Sequence, residues 1–112
     1  MNITTFITDW MNTSNAFDTK KYLEFYLDSA VLDDLSVGRK FIGHNGIKDY
    51  FESYFIGYNT QTELVELIIQ DEYHAYLEVQ FTGNFPEGKI GGTFVFTFKN
   101  EKIEHIKADL IH

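Results

Sequence analysis

Two hydrophobic rhythms divide the chain. Up to Gly57 apolar residues recur every three or four positions, and beyond it they recur every second one. Ile3, Phe6, Ile7, Trp10 and Met11 fall on one face at 3.6 residues per turn, the stripe of an amphipathic helix. Asp18 follows as an N-cap, because its carboxylate can accept from the free N–H groups of the next turn. Phe17 and Tyr22 flank that cap at hydrophobic-staple spacing, and the second helix is predicted to run on through Leu23, Phe25, Tyr26 and Leu27. A third helix is predicted from "GHNG", with Asn45 as its cap. It carries Ile47, Tyr50, Phe51, Tyr54 and Phe55 on one face and stops near Gly57.

Alternation then takes over. Val65, Leu67 and Ile69 form one strand face, and Ala75, Leu77, Val79 and Phe81 form another. Phe94, Phe96 and Phe98 repeat the pattern, as do Ile106, Ala108 and Leu110. Turn chemistry at "QDEY", "GNFPEG" and "KNEK" separates these segments, so they read as an antiparallel meander. Three helices followed by such a meander predict an α+β fold, with the helices packed on one face of a mainly antiparallel sheet. The opposite face, with His74, Tyr76, Glu78, Gln80, Thr93, Val95 and Thr97, is mixed. It suits water or a second copy of the chain, and a homodimer through this face is expected.

Composition narrows the function. A length of 112 residues with 44% hydrophobic content fits one domain, 1–112, with a core of its own. Eleven Phe and seven Tyr exceed ordinary use, which suits either wide packing or an apolar pocket. A net charge of −8, with no basic cluster, argues against nucleic acid and against anionic membranes. Cysteine is absent, which removes disulfides, thiolate nucleophiles and Cys-based zinc sites. The first residues, "MNITTFITDW", do not read as a secretory signal, so a cytoplasmic setting is expected. His44, His74, His105 and His112 are scattered without ligand spacing, so neither a metal nor a cofactor is expected.

One stretch stands out chemically. In "VLDDL", residues 31–35, two carboxylates interrupt an apolar run. Read as a short strand, it splits the pair: Asp34 shares a face with Leu32, while Asp33 points the other way.

The segments "YLDSAVLDD", "FIGHNGIKDYFESYF" and "GKIGGTFVFTFKNEKIEHIKADLI" resemble the SnoaL-like branch of the nuclear-transport-factor-2-like superfamily. The resemblance covers essentially the whole chain. It implies a cone-shaped fold, with a curved sheet wrapped around the helices and a pocket between them. Within that superfamily the first part is similar to ketosteroid isomerase, whose general base falls on Asp34 and turns that residue toward the pocket. The oxyanion donors do not follow: the first-helix tyrosine matches Trp10, and the sheet aspartate falls near Phe94, which cannot donate. An enolate would lack a large stabilising contribution, so ketosteroid isomerisation itself is not expected. The epoxide hydrolase pattern needs an Asp-Arg-Asp set, and the only arginine, Arg39, lies in a stretch read as a polar loop. The polyketide cyclase pattern points to Asp109 as a second-choice acid, although alternation turns it away from Ile106, Ala108 and Leu110.

The expected protein therefore binds a small hydrophobic or aromatic molecule. Asp34 is its candidate base for a cofactor-independent isomerase- or lyase-type proton transfer. Trp10, Tyr26, His44, Phe51, Phe55, Phe94 and Phe96 are the candidate ligand-binding residues. The alternative is a non-catalytic binding or dimerisation module.

Overall fold

The computed structural model describes residues 1–111, so His112 lies outside the described residues. The first helix, α1 (Ile3–Asn15), starts where the Asn2 side chain accepts from Thr5 N at 3.0 Å. Its stripe of Ile3, Ile7, Trp10 and Met11 is buried against the sheet. Asp18 caps α2 (Thr19–Glu24) through Lys21 N, as its position before an apolar turn predicts.

That second helix is shorter than the spacing suggests. Tyr26 and Leu27, read as helical, open strand β1 (Tyr26–Asp34). The Phe25 carbonyl accepts from Ile103 N at 2.8 Å and draws the chain into the sheet at that point. Tyr22 and Tyr26 are ambiguous in sequence because a spacing of four fits two strand repeats as well as one helical turn.

Strand β2 (Arg39–Ile42) turns back along β1, with Arg39 opposite Asp34. Arg39 is thus a strand residue rather than a loop residue, and its guanidinium lies 4.4 Å from the Phe41 ring centre. Gly43, at φ +69°, takes the left-handed turn that leads directly into α3 (Gly43–Phe51). No side chain caps α3: Asn45, expected to do so, is an exposed residue inside its first turn. The helix then widens into a π-helical turn, Glu52–Ile56, closed by Gly57 N donating to Glu52 O at 2.9 Å. The wider turn brings Phe55 against Tyr50 five residues earlier, with ring centres 5.8 Å apart.

Four long strands complete the chain: β3 (Gln61–Asp71), β4 (His74–Thr82), β5 (Lys89–Lys99) and β6 (Lys102–Ile111). The sheet order is β2-β1-β6-β5-β4-β3. Every pairing is antiparallel except that of β1 with β6. The expected meander is present, and β1 and β2 extend it to six strands. Asn100 and Glu101 both adopt positive φ between β5 and β6, the conformation that a two-residue hairpin with right-handed strand twist requires.

Ala75, Leu77, Val79, Phe94, Phe96, Phe98, Ile103 and Ile106 face the helices and form the core with them. Trp10 stands edge-on to Phe94 and Phe96 at 5.1 Å from each, and Tyr22 stacks on Phe51 at 4.0 Å. The helices do not reach the outer edge, so β3 leaves Leu64 and Ile69, opposite Val79 and Ala75 on the helix face, about half exposed. Val65, at a bulge, and Ile68, on the outward face, are exposed to a similar degree.

Candidate active site

Asp34 ends β1 on the inward face it shares with Ala30 and Leu32, which accounts for its burial. The chain reverses at once into β2, and the carboxylate organises the turn: Oδ1 accepts from Ser36 Oγ at 2.6 Å, Ser36 N at 2.9 Å and Val37 N at 3.3 Å. The Asp34 carbonyl accepts from Gly38 N at 3.0 Å. Oδ2 accepts from the phenol of Tyr50, on α3, at 2.7 Å. Asp34 is only 6% exposed, yet among the described residues no lysine, arginine or histidine forms an ion pair with it. Four donors replace the water lost on burial, and no opposite charge does.

Asp34 and Tyr50 stand in the wall of a cavity of about 290 Å³. Its size is at the small end of ligand pockets, which run from roughly 300 to 1,000 Å³. The α3 segment contributes Tyr50, Tyr54 and Phe55, the β1–β2 turn contributes Ser36 and Val37, and the link to β3 contributes Tyr58 and Thr60. Phe81 from β4, Phe85 and Glu87 from the β4–β5 hairpin, Ile90 from β5 and Leu110 from β6 complete it. Strands β1 and β4 are three places apart, about 14 Å in a flat sheet. Their meeting at one small cavity requires the sheet to curl. Val37, Tyr58 and Glu87 are exposed and mark the mouth.

The Phe81 wall depends on a glycine. A Cβ on Gly92 would collide with the Phe81 ring, so the bare backbone there leaves room for the ring against β5. Phe81 then meets Phe55 edge-on at 5.7 Å, and Phe94 at 5.9 Å behind it.

The residues singled out in the sequence divide into two groups. Asp34 and Phe55 line the cavity together. Phe51 and Phe94 stand directly behind the lining, touching Phe55 and Phe81. Phe96 lies deeper, beside Trp10. Trp10 Nε1 donates to Tyr26 Oη at 3.1 Å, and Tyr26 Oη donates to Tyr22 Oη at 2.6 Å, a buried relay that does not reach the cavity lining. Burial pushes Tyr22 and Tyr26 well above the usual tyrosine range. His44 Nε2 donates to the Tyr26 carbonyl at 2.9 Å, which ties the start of α3 to β1. Asp109 is half-buried, pairs across the strands with Thr93 and accepts from Leu110 N at 2.8 Å, away from the cavity lining.

Tyr50, Tyr54, Tyr58, Ser36 and Glu87 were not among the expected site residues. Tyr50 had a legible signal, since it shares the apolar face of the third helix with Phe51 and Phe55. Ser36 and Glu87 reach the site through turns, whose path no periodicity encodes. Burial, and next to it the Asp34 charge, push the Tyr50 phenol well above its usual range, so it stays a proton donor. Among the described residues no three His, Asp or Glu side chains converge as a metal would require.

A profile of the SnoaL-like domain matches residues 7–106. The chain belongs to the SnoaL-like family. Solved structures agree on the fold. A candidate polyketide cyclase from Sinorhizobium meliloti superposes with TM-score 0.83 at 19% identity, over 93% of each chain. A candidate ketosteroid isomerase from Kribbella flavida gives 0.84 at 10%, covering 96% of this SnoaL-like chain and 76% of the other. A nuclear-transport-factor-2-like protein of unknown function from Burkholderia xenovorans gives 0.82 at 15%, covering 96% and 81%. At these identities the likeness establishes the SnoaL-like, nuclear-transport-factor-2-like fold. A search of curated proteins finds no match. No described helix of this SnoaL-like domain is long and apolar enough to cross a membrane.

Proposed function

We propose that this SnoaL-like domain binds a compact, largely apolar or aromatic molecule in the cavity beside Asp34. One observation carries the reading: a wall of rings and aliphatic groups is interrupted by a single deeply buried carboxylate. Rings supply affinity without direction, and the lone polar group supplies orientation. Oδ1 already accepts from three donors, whereas Oδ2 accepts only from Tyr50 and retains capacity for a ligand.

A proton-transfer reaction is the second reading, favoured by that open position on Oδ2. A ligand carrying a C–H beside a carbonyl would give its proton to Asp34 and receive it back at another carbon, without a cofactor. The oxyanion would have to be met by Tyr54 or Tyr58, because Tyr50 is committed to Asp34 and the Trp10 relay lies behind the wall.

Thermal-shift screening of small enones, aromatic alcohols, aromatic amines and hydrophobic acids tests the binding reading. A compact ring compound should raise the melting temperature of the wild type and much less that of Asp34→Asn. Stabilisation that ignores the substitution would remove Asp34 from the site, and a screen with no stabilising compound would sink the pocket. Deuterium uptake into a bound enone, absent in Asp34→Asn, tests the transfer.

The mixed sheet face and the half-exposed β3 residues support association as a homodimer. That interface would serve equally if the domain binds without catalysis.

A further inference from the structure

We infer that the ligand carries a positive charge, as a protonated or quaternary amine on an apolar or aromatic body. This rests on the cavity being a binding site, and it adds the chemical class. Thirteen residues line the cavity; two are acidic, Asp34 and Glu87, and none is basic.

The Asp34 carboxylate is the stronger argument. It is buried and hydrogen-bonded, but its negative charge meets no cation within the described protein. Its nearest basic neighbour in the sheet, Arg39, places its guanidinium over the Phe41 ring instead. A buried charge without an opposite partner is a standing cost, and a cationic ligand relieves it where a neutral one does not.

The rings point the same way. Tyr50 packs against Tyr54 at 5.4 Å and against Phe55 at 5.8 Å, and Tyr58 meets Phe85 near the mouth at 6.4 Å. Aromatic faces carry negative potential and attract ammonium groups, most strongly where water is displaced. Glu87 at the mouth and a net charge of −8 favour approach of a cation and oppose that of an anion. A primary to tertiary ammonium would donate to the open position on Oδ2, and a quaternary one would rest on the rings.

Three probes of one size decide the matter: benzylamine, benzyl alcohol and benzoate, titrated by calorimetry at neutral pH and low salt. Benzylamine should bind at least about tenfold more tightly than benzyl alcohol, with benzoate weakest. Added salt should narrow the gap. Asp34→Asn should abolish most of the preference while keeping the alcohol. Glu87→Gln, at an exposed position of the hairpin, should reduce the preference severalfold and keeps the test open if Asp34→Asn fails to fold. Equal binding of amine and alcohol would overturn the inference and leave the pocket standing. An amine preference unmoved by either substitution would place the cation elsewhere on the acidic surface and also overturn it. No binding by any of the three would defeat the charge inference and the pocket together.

Discussion

Tyr50 donates its phenolic proton to Asp34 Oδ2 across 2.7 Å, joining α3 to the end of β1 at the cavity wall. The pair fixes both partners: the carboxylate as acceptor, the phenol as donor. Tyr50→Phe removes one of four donors from a buried carboxylate without changing the ring. It should cost about 1.5–3 kcal/mol, the range for hydrogen bonds to charged groups. Urea unfolding of the two proteins measures the difference, and a loss below about 0.5 kcal/mol would mean that water replaces the phenol.

The buried phenols should limit alkaline stability. Tyr22, Tyr26 and Tyr50 are raised above the ordinary tyrosine value, chiefly by burial. Below about pH 10 folded and unfolded chains both keep these protons, and the contribution is intact. Above it the unfolded chain releases them while the folded chain does not. The folded state then binds more protons, so stability falls as pH rises. Tyrosinate absorbance should show three of the seven tyrosines ionising only together with unfolding. Their smooth titration in a folded protein would contradict this burial.

Gly92→Ala tests the Phe81 wall. The added methyl must push the ring off β5 and toward the cavity. A stability loss of roughly 1–3 kcal/mol is expected, as for other overpacked sites. Any compound found to occupy the cavity should bind the variant at least about tenfold more weakly. Unchanged affinity would show that Phe81 does not shape the occupied space.

Ile68→Lys probes association. Ile68 is about half exposed and pairs across the strands with Tyr76 on the outward face. The change should leave monomer stability within about 0.5 kcal/mol, as surface substitutions do. Light scattering should show the wild type as a dimer and the variant shifted toward monomer. A wild type that is monomeric at high concentration would end the dimer reading.

Most of the architecture was legible because periodicity reports burial directly. The α1 stripe, the Asp18 cap and the inward faces of β4, β5 and β6 come from period and turn chemistry alone. The end of α2 was not legible, because Tyr22 and Tyr26 satisfy both periods. Nor was the start of α3 at Asn45, since Gly43 turns the chain into that helix without a side-chain acceptor. For the candidate site, alternation within "VLDDL" separated Asp34 from Asp33, and burial divides them the same way. Its surroundings were less legible: Trp10 and Tyr26 lie behind the wall, while Tyr50 and Ser36 hold the carboxylate. Which rings form the wall and which stand behind it depends on helix rotation and sheet curl, and neither is written in local spacing.

The last residue of α1 has a further role in the sheet. The Asn15 amide donates to the Thr62 carbonyl at 2.9 Å and accepts from Thr62 N at 2.7 Å, repeating with a side chain the two bonds that a neighbouring strand would make. Exposed strand edges invite other chains to add on. Here the start of β3 is already occupied, so an incoming strand could pair only with its farther half. One asparagine thereby shortens the stretch of the β3 edge that is open to strand addition.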